Sequence, residues 1–184
     1  QGGGVTLVSA PPGFGKTTLA AQICLNSELK TVWYRLDPLD NNLWDYLDYL
    51  ILGIRRHFPE FWCTFTNKNR TVKLNAKGVA KMASEFLICF EKKINQDLYI
   101  ILDDYHLISD SREIQEFNQI ILDRYVPFLN LIIISRTQLP LKLSKLLADR
   151  NINRISEHDL AFSRDEVRQF FDNIVSHSLN ENDL

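Results

Sequence analysis

An α/β fold with a parallel sheet between two layers of helices is predicted by three features of this 184-residue chain. Short apolar runs alternate with helical patterns along its length. Two of the runs, Leu98-Tyr99-Ile100-Ile101-Leu102 and Leu131-Ile132-Ile133-Ile134, are continuously apolar, as strands covered on both faces must be. The first run, Val5–Ser9, opens into the turn Ala10-Pro11-Pro12-Gly13-Phe14-Gly15-Lys16-Thr17-Thr18, and the helical pattern Leu19-Ala20-Ala21-Gln22-Ile23 follows at once.

Strand, glycine-rich turn and helix is the context in which the pattern GxxxxGK[ST] binds phosphate. Ala10 stands in place of its first glycine, a small residue for a small residue. Gly13 and Gly15 let the backbone fold close around phosphate with its N–H groups turned inward, and the helix that follows adds its positive end. Pro12, Gly13, Phe14, Gly15, Lys16, Thr17 and Thr18 are therefore the expected nucleotide-binding residues. Lys16 would reach the β- and γ-phosphates, and the Thr17 hydroxyl would ligate Mg²⁺.

The second and later elements follow in order. Strands are expected at Thr31–Leu36, Leu98–Asp103, Asn130–Ser135 and, most weakly, 152–155. Asp37 and Asp40, beyond the second strand, read as turn or cap residues. Leu43, Leu47, Leu50, Ile51, Ile54 and Phe58 mark one amphipathic helix. Val79, Met82, Ala83, Phe86, Leu87 and Phe90 mark a second, and Ile114, Phe117, Ile120 and Ile121 a third. Between the first two, Phe58, Phe61, Trp62 and Phe65 read as cover for the core edge, with a partner surface as the other reading, and residues 66–70 read as loop. Ser163-Arg164-Asp165-Glu166 is a capping box opening a helix with Val167, Phe170, Phe171, Ile174 and Val175 on one face. The expected division is a nucleotide-binding domain over 1–162 and the start of a helical subdomain over 163–184. Gln1-Gly2-Gly3-Gly4 and Asn180–Leu184 both read as cut ends, so a fragment of a larger protein is expected.

Composition excludes several classes. With 45% apolar and 24% charged residues the chain is ordinary for a globular domain. Lys and Arg number 21 against 23 Asp and Glu, a net charge of −2 that offers no general attraction for nucleic acid. Three cysteines without CxxC spacing argue against a disulfide framework and a zinc site and for a reducing, cytoplasmic compartment. Cys24 and Cys89 fall within apolar helical patterns, where thiols are buried as small hydrophobes. No apolar run approaches a membrane span.

The third strand ends in Asp103-Asp104-Tyr105-His106. An apolar strand ending in acid is the expected partner of a phosphate loop, the Walker B element: Asp103 would hold Mg²⁺ opposite Thr17, and Asp104 would orient or deprotonate an attacking water. His106 reads as locally packed and stays outside the catalytic set. In the additional-strand class of P-loop NTPases the strand after Walker B inserts between the two motif strands, giving the order 5-1-4-3-2. That order would turn Arg136, which ends the fourth strand, toward the γ-phosphate as a sensor.

These features together resemble a known family. Ala10 to Thr18, Val32-Trp33-Tyr34-Arg35-Leu36-Asp37, Ile101-Leu102-Asp103-Asp104-Tyr105-His106-Leu107-Ile108, Ile134-Ser135-Arg136-Thr137 and Leu160-Ala161-Phe162-Ser163 through Glu166 are similar, in that order, to the ATPase domain of MalT-type, large ATP-binding LuxR-family transcriptional regulators of the STAND class. The resemblance implies an ADP-bound resting form and an ATP-bound, self-associating active form. It implies a small-molecule or protein inducer acting through C-terminal regions beyond this chain, and promoter binding through a helix-turn-helix equally beyond it. Lys16, Thr17, Asp103, Asp104 and Arg136 would inherit the nucleotide roles, with slow ATP hydrolysis as the reset. The alternative is an AAA+-like remodelling ATPase, which carries Glu after the Walker B aspartate where this chain has Asp104. A small-molecule kinase would need an arginine-rich lid that the sequence lacks.

Overall fold

Side chains alternate across a strand, so successive residues face opposite layers, and the strands of this sheet use both. The computed structural model describes residues 3–25, 28–67, 74–124, 126–144 and 152–174. Its strands are β1 (Val5–Ser9), β2 (Lys30–Arg35), β3 (Leu98–Asp103), β4 (Leu129–Ser135) and β5 (Ile152–Ser156). All pair in parallel, in the order β2-β3-β4-β1-β5. This is the expected additional-strand order read from its other edge, with β4 inserted between β1 and β3.

Leu7, Val32, Leu98, Ile100, Leu102, Leu131 and Ile133 join the larger core on one face. It is closed by α2 (Leu43–Arg55), α3 (Ala76–Lys93) and α4 (Arg112–Leu122). The alternate residues Val8, Ile101, Ile132 and Ile134 meet Ala20 of α1 (Lys16–Leu25) in a thinner core on the other face. The double coverage explains why β3 and β4 are apolar at nearly every position. The edge strand β5 reads weakly because Asn153 and Arg154 are exposed.

The aromatic segment after α2 is mostly core. Phe61 is fully buried, edge-to-face with Phe86 at 5.7 Å and Phe90 at 6.3 Å. Phe58 and Phe65 are buried too, whereas Trp62 is exposed, with the Arg55 guanidinium 3.5 Å above its ring. Of the loop expected at 66–70, Thr66 and Asn67 belong to the 3₁₀ turn Thr64–Asn67, and 68–70 lie outside the described residues.

The cysteines correct an expectation. Cys63 is the buried one; Cys24 and Cys89 are half-buried. Helix α3 turns Phe86, Leu87 and Phe90 inward, which leaves Cys89 on its flank, its thiol donating to the Trp62 carbonyl at 3.2 Å. Cys63 and Cys89 are thus neighbours, and burial first, then the adjacent thiol, push the Cys63 thiol up. Asp37 and Asp40 form a reciprocal cap on the 3₁₀ turn Pro38–Asp40. After β5 come α5 (Glu157–Leu160) and α6 (Arg164–Ile174), the latter opened by Ser163 and Glu166 bonded as a capping box. Val175 lies outside the described residues.

Candidate functional site

Parallel strands all present their C-terminal ends at one edge of the sheet, and there β1, β3 and β4 bring the predicted residues together. Ala10 is buried where the phosphate loop leaves β1, and its N–H reaches the Ser135 carbonyl of β4 at 3.4 Å. Gly13 and Gly15 take φ of +90° and +69°, left-handed values that L side chains enter at a cost of about 1–2 kcal/mol. Lys16, the first residue of α1, is buried and folds back so that its Nζ donates to the Pro11 carbonyl at 2.7 Å. Burial, and then the charge of Arg136, lower its pKa, while Asp104 and Asp103 oppose them.

Thr17 reaches across to β3. Its hydroxyl donates to the Asp103 carboxylate at 3.1 and 3.3 Å. Asp103 is buried, and its Oδ1 also accepts the Asp104 N–H at 3.0 Å. A hydroxyl and a carboxylate converging in this way fit a hard cation that takes its remaining ligands from phosphate and water. Among the described residues no group of three or more His, Cys, Asp or Glu side chains could hold a metal by itself. Thr18, Gly13 and Phe14 line a cavity of about 700 Å³ that continues to Gln22, Leu160 and Phe162. Pro12 lies on the same wall.

Asp104 departs from the strand with φ 57° and ψ 37°, a left-handed turn that Asp tolerates better than most residues. The turn aims its carboxylate back over the sheet edge, where Arg136 Nη2 stands 3.3 Å from Oδ1. Two residues outside the expected set join it. Arg35, at the end of β2, places Nε 3.4 Å from Oδ2 of Asp104. His106, in the 3₁₀ turn Tyr105–Ile108, places Nδ1 4.0 Å from Oδ1. That nitrogen is buried without a hydrogen-bond partner, and burial, then Arg136, lower the imidazole pKa. Arg35 was legible in principle, because it ends the strand that the expected order sets beside β3. For His106 the signal is only its place two residues after Asp104; the left-handed turn that folds it back is not written in the residue types.

The chain is 32% identical over 182 residues to the HTH-type transcriptional regulator MalT of Yersinia pestis, and 28% identical over 179 residues to MalT of Vibrio parahaemolyticus. The resemblance to MalT-type regulators holds. It takes in 97% and 96% of this chain, which spans 19% of the length of each of these relatives. No protein-family model matches the chain. A Walker-type ATPase of Pyrococcus abyssi superposes with a TM-score of 0.53 at 15% identity, covering 97% of this chain and 55% of that one. The fold is that of the P-loop ATPases. No helix among the described residues is long and apolar enough to cross a membrane.

Proposed function

We propose that this chain is the ATP- and ADP-binding switch domain of a MalT-like transcriptional regulator, reset by slow Mg²⁺-dependent hydrolysis of ATP. The observation that carries the reading is the Thr17–Asp103 bond at 3.1 Å beside the buried Lys16. It joins the phosphate loop to the end of β3, as the two halves of a triphosphate site require. Phosphate oxygens would take the place of the Pro11 carbonyl on Lys16. The cavity running from Phe14 to Phe162 is of a size for a nucleoside and would seat base and ribose. Thr17 and Asp103 would hold Mg²⁺, which supplies charge neutralisation at the β- and γ-phosphates.

In the hydrolytic step, a water oxygen bonds to the γ-phosphorus as the bond to the β,γ-bridging oxygen breaks, and ADP leaves. Asp104 orients that water and takes its proton, which passes on to the phosphate released. Arg136 and Lys16 face the charge on the equatorial oxygens. A switch requires two conformations that differ in affinity for ATP and ADP, and on this reading Arg136 would tell the two nucleotides apart. Inducer, promoter DNA and self-association belong to the longer protein on this reading, and residues from Ser163 onward begin its helical subdomain.

Single-turnover hydrolysis of ATP by the chain and by its Asp104→Asn variant tests the mechanism. The variant should be slower by about 10²–10⁴-fold, the range for loss of a positioned base, with ATP affinity little changed. Equal rates would remove Asp104 from the reaction.

A further inference from the structure

Strands β2, β3 and β4 are neighbours, and their ends set Arg35, Asp104 and Arg136 in a row across the sheet edge. Arg35 pairs in register with Asp103, so the β-ladder itself brings it to the residue after. The carboxylate of Asp104 is gripped from both sides, Oδ2 by Arg35 and Oδ1 by Arg136. No side-chain cap ties it to the turn that it opens. Its direction is therefore set by these two arginines, with His106 below.

The two are not equivalent. Arg136 follows β4, the strand beside the phosphate loop, and its charge bears on both Lys16 and His106. It is the arginine that a γ-phosphate would draw away. Arg35 stands on the far side, beyond β3, with three-quarters of its side chain exposed. We infer that Arg35 is a positioning residue: it keeps Oδ2 of Asp104 fixed when Arg136 turns to the γ-phosphate, so that Oδ1 is presented to the attacking water. This rests on the hydrolytic reading above. An ion pair as exposed as this one adds little to folding, so its loss belongs in the rate and not in the stability.

The test compares Arg35→Gln and Arg35→Lys with the parent chain, each with and without Asp104→Asn. ATP and ADP affinities come from calorimetry and rates from single turnover. Arg35→Gln should keep both affinities within about twofold while hydrolysis falls about tenfold, the scale of a slightly misplaced catalytic group. Arg35→Lys should recover part of the rate. With Asp104→Asn present, Arg35→Gln should change nothing further, because the carboxylate it positions is gone. A parent-like rate in Arg35→Gln, a further loss on top of Asp104→Asn, or a matching loss of affinity would each overturn the assignment while leaving the ATPase reading intact. A parent chain that binds ATP without turnover would overturn the hydrolytic reading, and Arg35 with it.

Discussion

His106 and Asp104 show how one backbone turn sets the character of the site. Because Asp104 is left-handed, the chain folds back within two residues and buries the imidazole Nδ1 beside the carboxylate. Burial and Arg136 hold the His106 pKa below its ordinary value of about 6.5. The unfolded chain then binds more protons than the folded one between those two values, so stability falls as pH drops through about 6.5. The difference in urea midpoint between pH 7.5 and pH 5.5 should be smaller in His106→Asn than in the parent chain. An identical difference in both would show that His106 does not carry this titration.

At the scale of elements, the turn that bears His106 is held by a buried polar chain. Tyr46 of α2 donates to Asn118 Oδ1 at 3.0 Å, Asn118 Nδ2 donates to the Tyr105 hydroxyl at 2.9 Å, and Tyr105 donates to Gln115 at 2.8 Å. Tyr46, Tyr105 and Asn118 are all buried, and burial pushes both phenols up. Asn118→Ala leaves Tyr46 without its acceptor and Tyr105 without its donor. Tyr105 keeps its bond to Gln115, so at about 1–3 kcal/mol for the one buried group left unsatisfied, chemical denaturation should show a loss of about 1–3 kcal/mol. A loss under about 0.5 kcal/mol would mean that the network does not anchor the turn. Asn118 falls at the i+4 position of the stripe Ile114, Phe117, Ile121, so periodicity marks its place as buried but does not name its hydrogen-bond partners. The helices themselves were legible because each buries one face. The cysteines were misplaced because an apolar neighbourhood in sequence does not say which flank of a helix meets the core.

For the whole molecule, the sheet order and the phosphate loop were legible together: a glycine turn between strand and helix and an apolar strand ending in Asp103 leave few arrangements for the remaining strands. The contact of Arg35 with Asp104 was not: the expected order sets β2 beside β3, but the ion pair also depends on the left-handed turn at Asp104, which the residue types do not announce. The assembled site also implies linkage, since a nucleotide that binds only the folded chain stabilises it by about 2.7 kcal/mol at a hundred times its Kd. The central claim is that the edge formed by β1, β3 and β4 binds nucleotide through Lys16. Calorimetric titration of ATP and ADP, with Mg²⁺, into the chain and into Lys16→Ala tests it most directly. The account predicts saturable binding of both nucleotides to the chain and a loss of about 10–100-fold in the variant, the worth of a charge-assisted hydrogen bond to phosphate. Equal affinities in the two proteins, or no heat of binding to the intact chain, would contradict it.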